Sequence, residues 1–376
     1  MKLAVLNLTG GGASVGYRRY VSAVLPRLAA FDEVEKVLCA SPAALGVEGW
    51  LEPSPKINFA RCEPFRFLRH SPDPGLKAAL DAFGPDLIFV PLERYIDYKG
   101  LPVVTVLHNM APLAGVPTGG GLKELLKAAA QKHETKLAVS RAAAVMAPSD
   151  FVRDFLIAKA GAAAGKVHTA HFGPSPVTAS PSRPKGLGDA TGKFIFTAGS
   201  MERYRGLEDL IEAMPALKAA VPGIILAVAG SARPATRYYL EELKELALKR
   251  GAGGDVFWLG SLPDEEMAWC YASCSAFVMT SRMESFGFPA LEAMQHGCQC
   301  VSAASPCLPE MFGEAAVYYP PGDHAALSAR VAEVLSRDAS AKGRASALAL
   351  ERAGKFSWDG TASRTLDVLR KAASGA

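Results

Sequence analysis

The sequence predicts an α/β chain made of two doubly wound, Rossmann-like halves facing each other across a cleft. Three observations predict it. The chain has 376 residues, more than one hydrophobic core ordinarily serves. Short apolar runs alternate with helical patterns in two separate series, a rhythm that calls for parallel strands and right-handed crossovers. Between the two series lies GPSPVTASPSRPKGLGDATG (173–192), rich in proline and glycine and without apolar periodicity, which reads as a linker.

The first series opens with the strand LAVLNL (3–8), the loop TGGGASVG and a helix from about Tyr17 to Ala30. Further strands are expected at VEKVLCA (34–40), DLIFVP (86–91), VVTVLH (103–108) and AAAVMAPS (142–149), with helical patterns such as GLKELLKAAAQKHETKLAVSRA between them. The second series gives strands at KFIFTAGS (193–200), GIILAVAGS (223–231), VFWLGS (256–261), SAFVMTS (275–281), QCVSAAS (299–305) and AAVYYPPGD (315–323). Helices are expected from about Leu207, near 235–250 and near 264–272. The domains are therefore 1–173 and 193–355, joined by a linker at 174–192. The amphipathic tail FSWDGTASRTLDVLRKA reads as a closing helix, 356–376, that packs back on the first domain.

Composition narrows the function. Hydrophobic residues make up 49% and charged ones 21%, the balance of a folded globular protein. The net charge of +4 is mild and no basic block occurs, so nucleic acid is not an expected partner. The seven cysteines show no CxxC spacing and no accompanying histidine pair, so they read as small buried apolar residues and no metal site is expected. MKLAVLNL is too short for a signal peptide, and no run reaches the length of a membrane span, so a reducing cytoplasm is the expected compartment. The helix carrying Lys123, Lys127, Lys132 and Lys136 beside Leu122, Leu125 and Leu126 reads first as a solvated helix. Its second reading is peripheral contact with an anionic bilayer, at the inner face of the membrane.

The stretch SRMESFGFPALEAM (281–294) carries the chemistry. It follows a strand and enters a helix through Pro289, with Gly297 as the stop. The amides of Phe286, Gly287 and Phe288 thus reach a helix N-terminus, where an anion is favoured, and Gly287 lets backbone approach a ligand closely. Glu284 on the loop and Glu292 one turn into the helix are acceptors for hydroxyls. Taken singly, one is an ordinary solvated residue and the other a helix former. A phosphate flanked by hydroxyl-binding carboxylates describes a sugar nucleotide.

The same stretch, continued to SRMESFGFPALEAMQHGCQCVSAASPCLPEMFGEAAVYYPPGD, resembles the E-x7-E region of glycosyltransferase family 4, a retaining group with the two-domain GT-B fold. Ser281, Glu284, Phe286, Gly287, Pro289, Glu292, Ala293, Met294, Gly297, Pro309 and Glu310 match that pattern, and Ser285 replaces its usual glycine. FTAGSMERYRGLEDLIEAM resembles the family's strand–loop–helix, with Arg205-Gly206 where lysine-glycine is usual. A cation there would stabilise a leaving diphosphate. Ser200 stands where many members carry a second arginine, and Arg203 is a nearby candidate replacement. VVTVLHNMAPL resembles the strand that ends in a histidine beside the reacting sugar, which implicates His108. GGGASVGYRRY resembles the Gly-rich first loop, implicating Gly12 and Gly16 in close approach to the donor. With Val15 at the third glycine position, it is not a dinucleotide fingerprint. VFWLGSLPDEEMAWCYASC resembles the element that holds the nucleotide base, implicating Leu259.

The resemblance implies a retaining hexosyltransferase moving a sugar from a nucleotide-diphosphate donor to a carbohydrate or lipid-linked acceptor, in polysaccharide, lipopolysaccharide or glycolipid synthesis. It assigns catalytic roles to His108, Arg205 and Glu284, and donor binding to Gly12, Gly16, Ser200, Phe286, Gly287, Phe288, Glu292 and Leu259. No metal or other cofactor is expected, because no D-x-D-type carboxylate cluster is present to bridge one to phosphates. Two other readings stand beside it: a non-catalytic sugar-nucleotide-binding partner and a sugar-nucleotide epimerase of the same fold.

Overall fold

The computed structural model describes residues 1–10, 12–115, 122–177, 180–188 and 193–375, with the side chains of 122–124 and 235 outside the description. Lys123 and Leu122 of the expected basic helix therefore lie outside the described side chains. The chain divides into two compact units between Gly173 and Pro174 and again between Phe356 and Ser357.

The first unit runs β1 (Lys2–Leu6), α1 (Val15–Ala30), β2 (Lys36–Ser41), β3 (Ile57–Arg61), α2 (Pro74–Phe83), β4 (Leu87–Val90), β5 (Val103–Val106), α3 (Ala111–Ala114), α4 (Leu122–Arg141), β6 (Ala144–Ala147), α5 (Asp150–Lys159) and β7 (Val167–Thr169). Its seven strands are parallel in the order β3-β2-β1-β4-β5-β6-β7. Strands β4, β5 and β6 are buried along their whole length, which is why each reads as an uninterrupted apolar run. Asn7, fully buried just past β1, spends its amide on the Ala40 carbonyl at 3.1 Å and accepts the Tyr17 hydroxyl, so a polar residue in an apolar run pins α1 to the sheet.

The second unit runs β8 (Phe194–Ala198), α6 (Leu207–Ala220), β9 (Ile225–Ala229), α7 (Arg237–Lys249), β10 (Val256–Gly260), α8 (Asp264–Ser273), β11 (Ala276–Met279), α9 (Phe288–Gln295), β12 (Cys300–Ala303), α10 (Leu308–Phe312), β13 (Ala316–Tyr319), α11 (His324–Ser336) and α12 (Ala339–Gly354). Its strand order, β10-β9-β8-β11-β12-β13, repeats the first unit's winding. The last helix, α13 (Trp358–Ser374), groups with the first unit and packs on α1, β4 and β5. Thr361 of α13 donates to the His171 carbonyl at 2.7 Å, and no Cβ fits at Gly173, where it would stand 2.4 Å from the Trp358 amide nitrogen.

In both sheets the winding reverses between the first and fourth strands of the series, at β1/β4 and at β8/β11. Loops at the carboxyl ends of strands flanking such a point form the crevice where open α/β sheets take ligands. All seven cysteines are free, and only Cys274 is more than marginally accessible. Its thiol lies 3.2 Å from that of Cys298.

Candidate functional site

The crevice at the β8/β11 point is built from backbone upward. Gly199 and Gly230, at the ends of adjacent strands, approach so closely that a Cβ on Gly230 (φ 131) would fall 1.8 Å from the Gly199 carbonyl oxygen. After β8 the chain makes a tight turn over Arg203–Arg205 and enters α6 through Gly206 in the left-handed region (φ 60). The turn is fastened to the end of β11: Thr280 Oγ1 donates to the Arg205 carbonyl at 2.6 Å, and the Arg282 amide donates to the Tyr204 carbonyl at 2.8 Å. Arg205 is thereby held among Thr197, Gly199, Ser200, Thr280 and Ser281, which line the crevice.

There Arg205 meets Glu284. Its Nη1 donates to the Glu284 carboxylate, and Ser281 Oγ donates to the same oxygen at 3.0 Å. The two side chains are 17% and 11% exposed, so this is a largely desolvated ion pair. Burial works against the Arg205 charge, and Glu284, Tyr204 and Glu202 together more than offset it, leaving the guanidinium above its ordinary range. The Arg205 Nε–H is buried without a hydrogen-bond partner, a donor of the kind that an incoming anion satisfies.

Residues the sequence reading left without a role hold this arrangement in place. Arg282 pairs with Glu208 and, at 2.7 Å, with Asp209, whose other oxygen accepts the Gly322 amide at 2.9 Å. Arg282 stands inside the E-x7-E stretch and is visible there as a charge. Asp209 is not, because an acidic residue in the first turn of a helix is ordinary. Arg203, the candidate replacement for an arginine at Ser200, turns away: it pairs with Glu242 on α7 at 2.5 Å and lies over Tyr238 and Tyr239. Arg233, from the loop after β9, instead reaches the loop beside Ser200 through Glu202.

The helix start is as the stretch predicts. Gly287 is the N-cap of α9 in the left-handed region (φ 90), Pro289 sits in the first turn, and the helix stops before Gly297 (φ 68). A Cβ on Gly287 would also come within 2.8 Å of the Phe312 ring. The Phe286 ring is buried against Phe288 and Phe356. Its side chain is therefore core, and only its backbone faces the question of ligand binding. Glu292 is 5% exposed and already engaged: Ser175 Oγ donates to it at 2.7 Å and the Tyr271 hydroxyl at 3.1 Å. These partners stand 117 and 21 positions away along the chain, which is why no local pattern reveals them. Leu259 lies on the edge strand β10, against Gly186 of the linker, two strands from the winding reversal.

In the first unit His108 follows β5 within an aromatic box. Its ring stacks on Phe172 at 5.3 Å and meets the edges of Tyr20 at 4.9 Å and Tyr17 at 5.8 Å. Burial lowers its pKa to about 4, so the imidazole is neutral near pH 7. The His108 amide donates to Glu93, a carboxyl raised above its ordinary range by burial, which the sequence reading did not single out. Gly12 is an exposed loop residue, whereas Gly16 lies in the first turn of α1. The helix begins two residues before the expected Tyr17 because Ser14 caps it, its Oγ accepting the Tyr17 amide at 3.2 Å. Apart from Leu259, the candidate residues thus fall into two groups, one near the winding reversal of each unit.

The model of the family "Glycosyltransferase Family 4" matches residues 16–173, and that of "Glycosyl transferases group 1" matches residues 180–347. An O-antigen chain mannosyltransferase B of Escherichia coli is 36% identical over 117 residues, covering 31% of this chain and 30% of that protein. A D-inositol 3-phosphate glycosyltransferase of Nocardioides sp. is 28% identical over 295 residues, 73% of this chain and 63% of its own length. The matches thus span from under a third to under two thirds of these curated relatives. Among solved structures, the Anabaena protein HepE in complex with UDP and glucose superposes with a TM-score of 0.74 at 19% identity, over 99% of this chain and 100% of that one. With two consecutive family models covering most of its length and this fold, the chain belongs to the family 4-like glycosyltransferases of GT-B architecture.

Proposed function

We propose that the protein transfers a sugar from a nucleotide-diphosphate donor to an acceptor hydroxyl with retention of anomeric configuration, in polysaccharide, lipopolysaccharide or glycolipid synthesis. One observation carries the reading: the Arg205–Glu284 pair sits in the crevice at the β8/β11 winding reversal with a buried, unsatisfied Arg205 N–H. The diphosphate takes that N–H and the first amides of α9, and the developing negative charge on the leaving phosphate falls next to a guanidinium fixed in advance. Glu284, held by Ser281, accepts hydroxyls of the donor sugar. Glu292 takes the ribose hydroxyls in exchange for the Ser175 hydroxyl. The bond from the anomeric carbon to the phosphate oxygen breaks with its electron pair going to the diphosphate. The acceptor oxygen bonds to the anomeric carbon on the same face, and its proton goes to the departing phosphate. His108, neutral in its aromatic box, contributes a ring contact and a hydrogen bond to the sugar but no proton transfer. Arg205 supplies the positive charge that a bridging metal would otherwise provide, so activity persists in EDTA.

The test is turnover. Purified protein is incubated with UDP-, GDP- and ADP-sugars, and released nucleoside diphosphate is measured beside thermal stabilisation by each donor. Transfer or slow hydrolysis of one donor is expected. Stabilisation without release would favour a non-catalytic binder, a reading supported by Ser200 and by the outward course of Arg203. An epimerised donor in place of free nucleotide would favour an epimerase.

No helix among the described residues is long and apolar enough to cross a membrane. Leu125 and Leu126 on α4 are 60% and 63% exposed, and that supports peripheral contact with an anionic bilayer at the cytoplasmic face. Co-sedimentation with phosphatidylglycerol vesicles at low salt, lost in Leu125→Glu, is the outcome expected; no sedimentation would remove that contact.

A further inference from the structure

The winding reversal of the first unit carries a second polar feature that the donor chemistry does not use. Three loops meet there. Thr9 follows β1, Glu93 and Arg94 follow β4, and the loop after β3 crosses to join them through the Phe65 amide, which donates to the Thr9 carbonyl at 2.7 Å. That third loop is held under strain. Leu68 lies in the left-handed region at φ 65, a conformation that is unfavourable for a residue with a Cβ.

What holds it is a fully buried carboxylate on α4. Glu134 accepts the Leu68 amide at 2.7 Å and lies 2.9 Å from His70 Nε2, while the His70 carbonyl accepts the Asp97 amide from the loop after β4. Burying a carboxyl group is costly unless its hydrogen bonds are made, so the contacts of Glu134 fix one loop shape around the strained Leu68. The shape leaves Leu68 74% and Phe67 40% exposed, although both are apolar. Backbone strain locked in this way is concentrated at ligand clamps.

Arg94 completes the platform. Its guanidinium lies over the rings of Phe65 at 5.0 Å and Phe67 at 5.7 Å, and its Nη1 donates to the Glu93 carbonyl at 2.9 Å. Neighbouring arginines have carboxylates: Arg61 pairs with Glu48, and Arg66 and Arg69 both pair with Glu63. Among the described residues no carboxylate lies within ion-pair reach of Arg94. Stacking occupies the guanidinium faces and leaves its edge N–H groups for a planar or tetrahedral anion.

We infer that Arg94, Phe67 and the fixed loop Glu63–His70 form a subsite for a saccharide bearing a phosphate or carboxylate, the acceptor of the reaction. The inference rests on the transferase reading for the word acceptor, while the anion subsite itself stands on the first unit alone. Phe67 and Leu68 supply the apolar surface on which a pyranose ring rests, and Arg94 takes its anionic group.

The experiment is ligand binding without turnover, so failure of the transferase reading leaves it interpretable. Titrations at low salt compare glucose 6-phosphate and glucuronate with neutral methyl α-glucoside. The proteins are wild type, Arg94→Ala, Arg94→Lys and, as control for the other unit's anion site, Arg205→Ala. At least one anionic sugar is expected to bind tenfold or more tightly than the glucoside. Arg94→Ala should bring the two within about twofold, Arg94→Lys should recover part of the preference, and Arg205→Ala should retain it. Equal binding of charged and neutral sugars by wild type would overturn the inference, as would a preference that survives Arg94→Ala or vanishes in Arg205→Ala protein that circular dichroism shows to be folded. Binding of phosphatidylglycerol vesicles, but of neither sugar, lost in Arg94→Ala, would replace the saccharide with a lipid headgroup and equally overturn it.

Discussion

The two winding reversals occupy the same place in two similar sheets and are furnished in opposite ways. At β8/β11 a cation and a carboxylate are buried against each other, braced by a second network of Arg282, Glu208 and Asp209. At β1/β4 the neutral His108 is enclosed by Tyr17, Tyr20 and Phe172, and Arg94 lies on phenyl rings. The difference teaches that winding supplies the location and the loops supply the chemistry. Charge fixed in advance suits a diphosphate, whereas aromatic surface with Arg94 lying on it suits a sugar of modest charge.

The comparison breaks most readily at Arg205. Arg205→Ala leaves Glu284 buried without its partner and is expected to lower stability by about 3–5 kcal/mol. Removing both, in Arg205→Ala/Glu284→Ala, should cost clearly less than the sum of the single changes, as chemical denaturation would measure. A double mutant whose loss equals that sum would mean the pair is not coupled. Next in size is Gly230→Ala, which sets a Cβ against the Gly199 carbonyl and should cost about 2–4 kcal/mol and weaken nucleotide binding. Unchanged stability would show that the crevice backbone can yield.

The pH dependence sharpens the contrast from the other side. His108 has an ordinary pKa of 6.5 and a folded one of about 4, so between those values the unfolded chain binds more protons than the folded one. Stability therefore falls as pH drops from about 6.5 towards 4, by up to about 3 kcal/mol from this group. Glu93, raised by burial, acts oppositely, because the folded state takes up its proton first. The difference between wild type and His108→Gln isolates the histidine: the variant should lose less stability on acidification. Parallel curves would place His108 outside its aromatic box. The smallest effect expected is at Ser175→Ala, which removes one donor to Glu292 and should change stability by about 1 kcal/mol.

Much of this was legible from residues. Interior parallel strands are apolar runs, so β4, β5, β11 and β12 declare themselves. The edge strands β3 and β7, INFAR and VHT, do not, since exposure on an edge removes the apolar signature. Glu284 and Arg205 were visible through their motifs, but not their pairing, which joins positions 79 apart. Glu93 and Glu134 look like ordinary surface acids in the sequence. Only the full burial of Glu134 and the long-range hydrogen bonds of both give them a role.

The central claim is that Glu284, fixed by Arg205 and Ser281, serves the sugar and not the nucleotide. It is tested most directly by measuring kcat and nucleoside-diphosphate affinity for Glu284→Gln with the donor that the panel identifies. The account predicts a fall in kcat of about a hundredfold or more with nucleotide affinity within a few fold of wild type. Full turnover in Glu284→Gln, or a loss confined to nucleotide affinity, would contradict it.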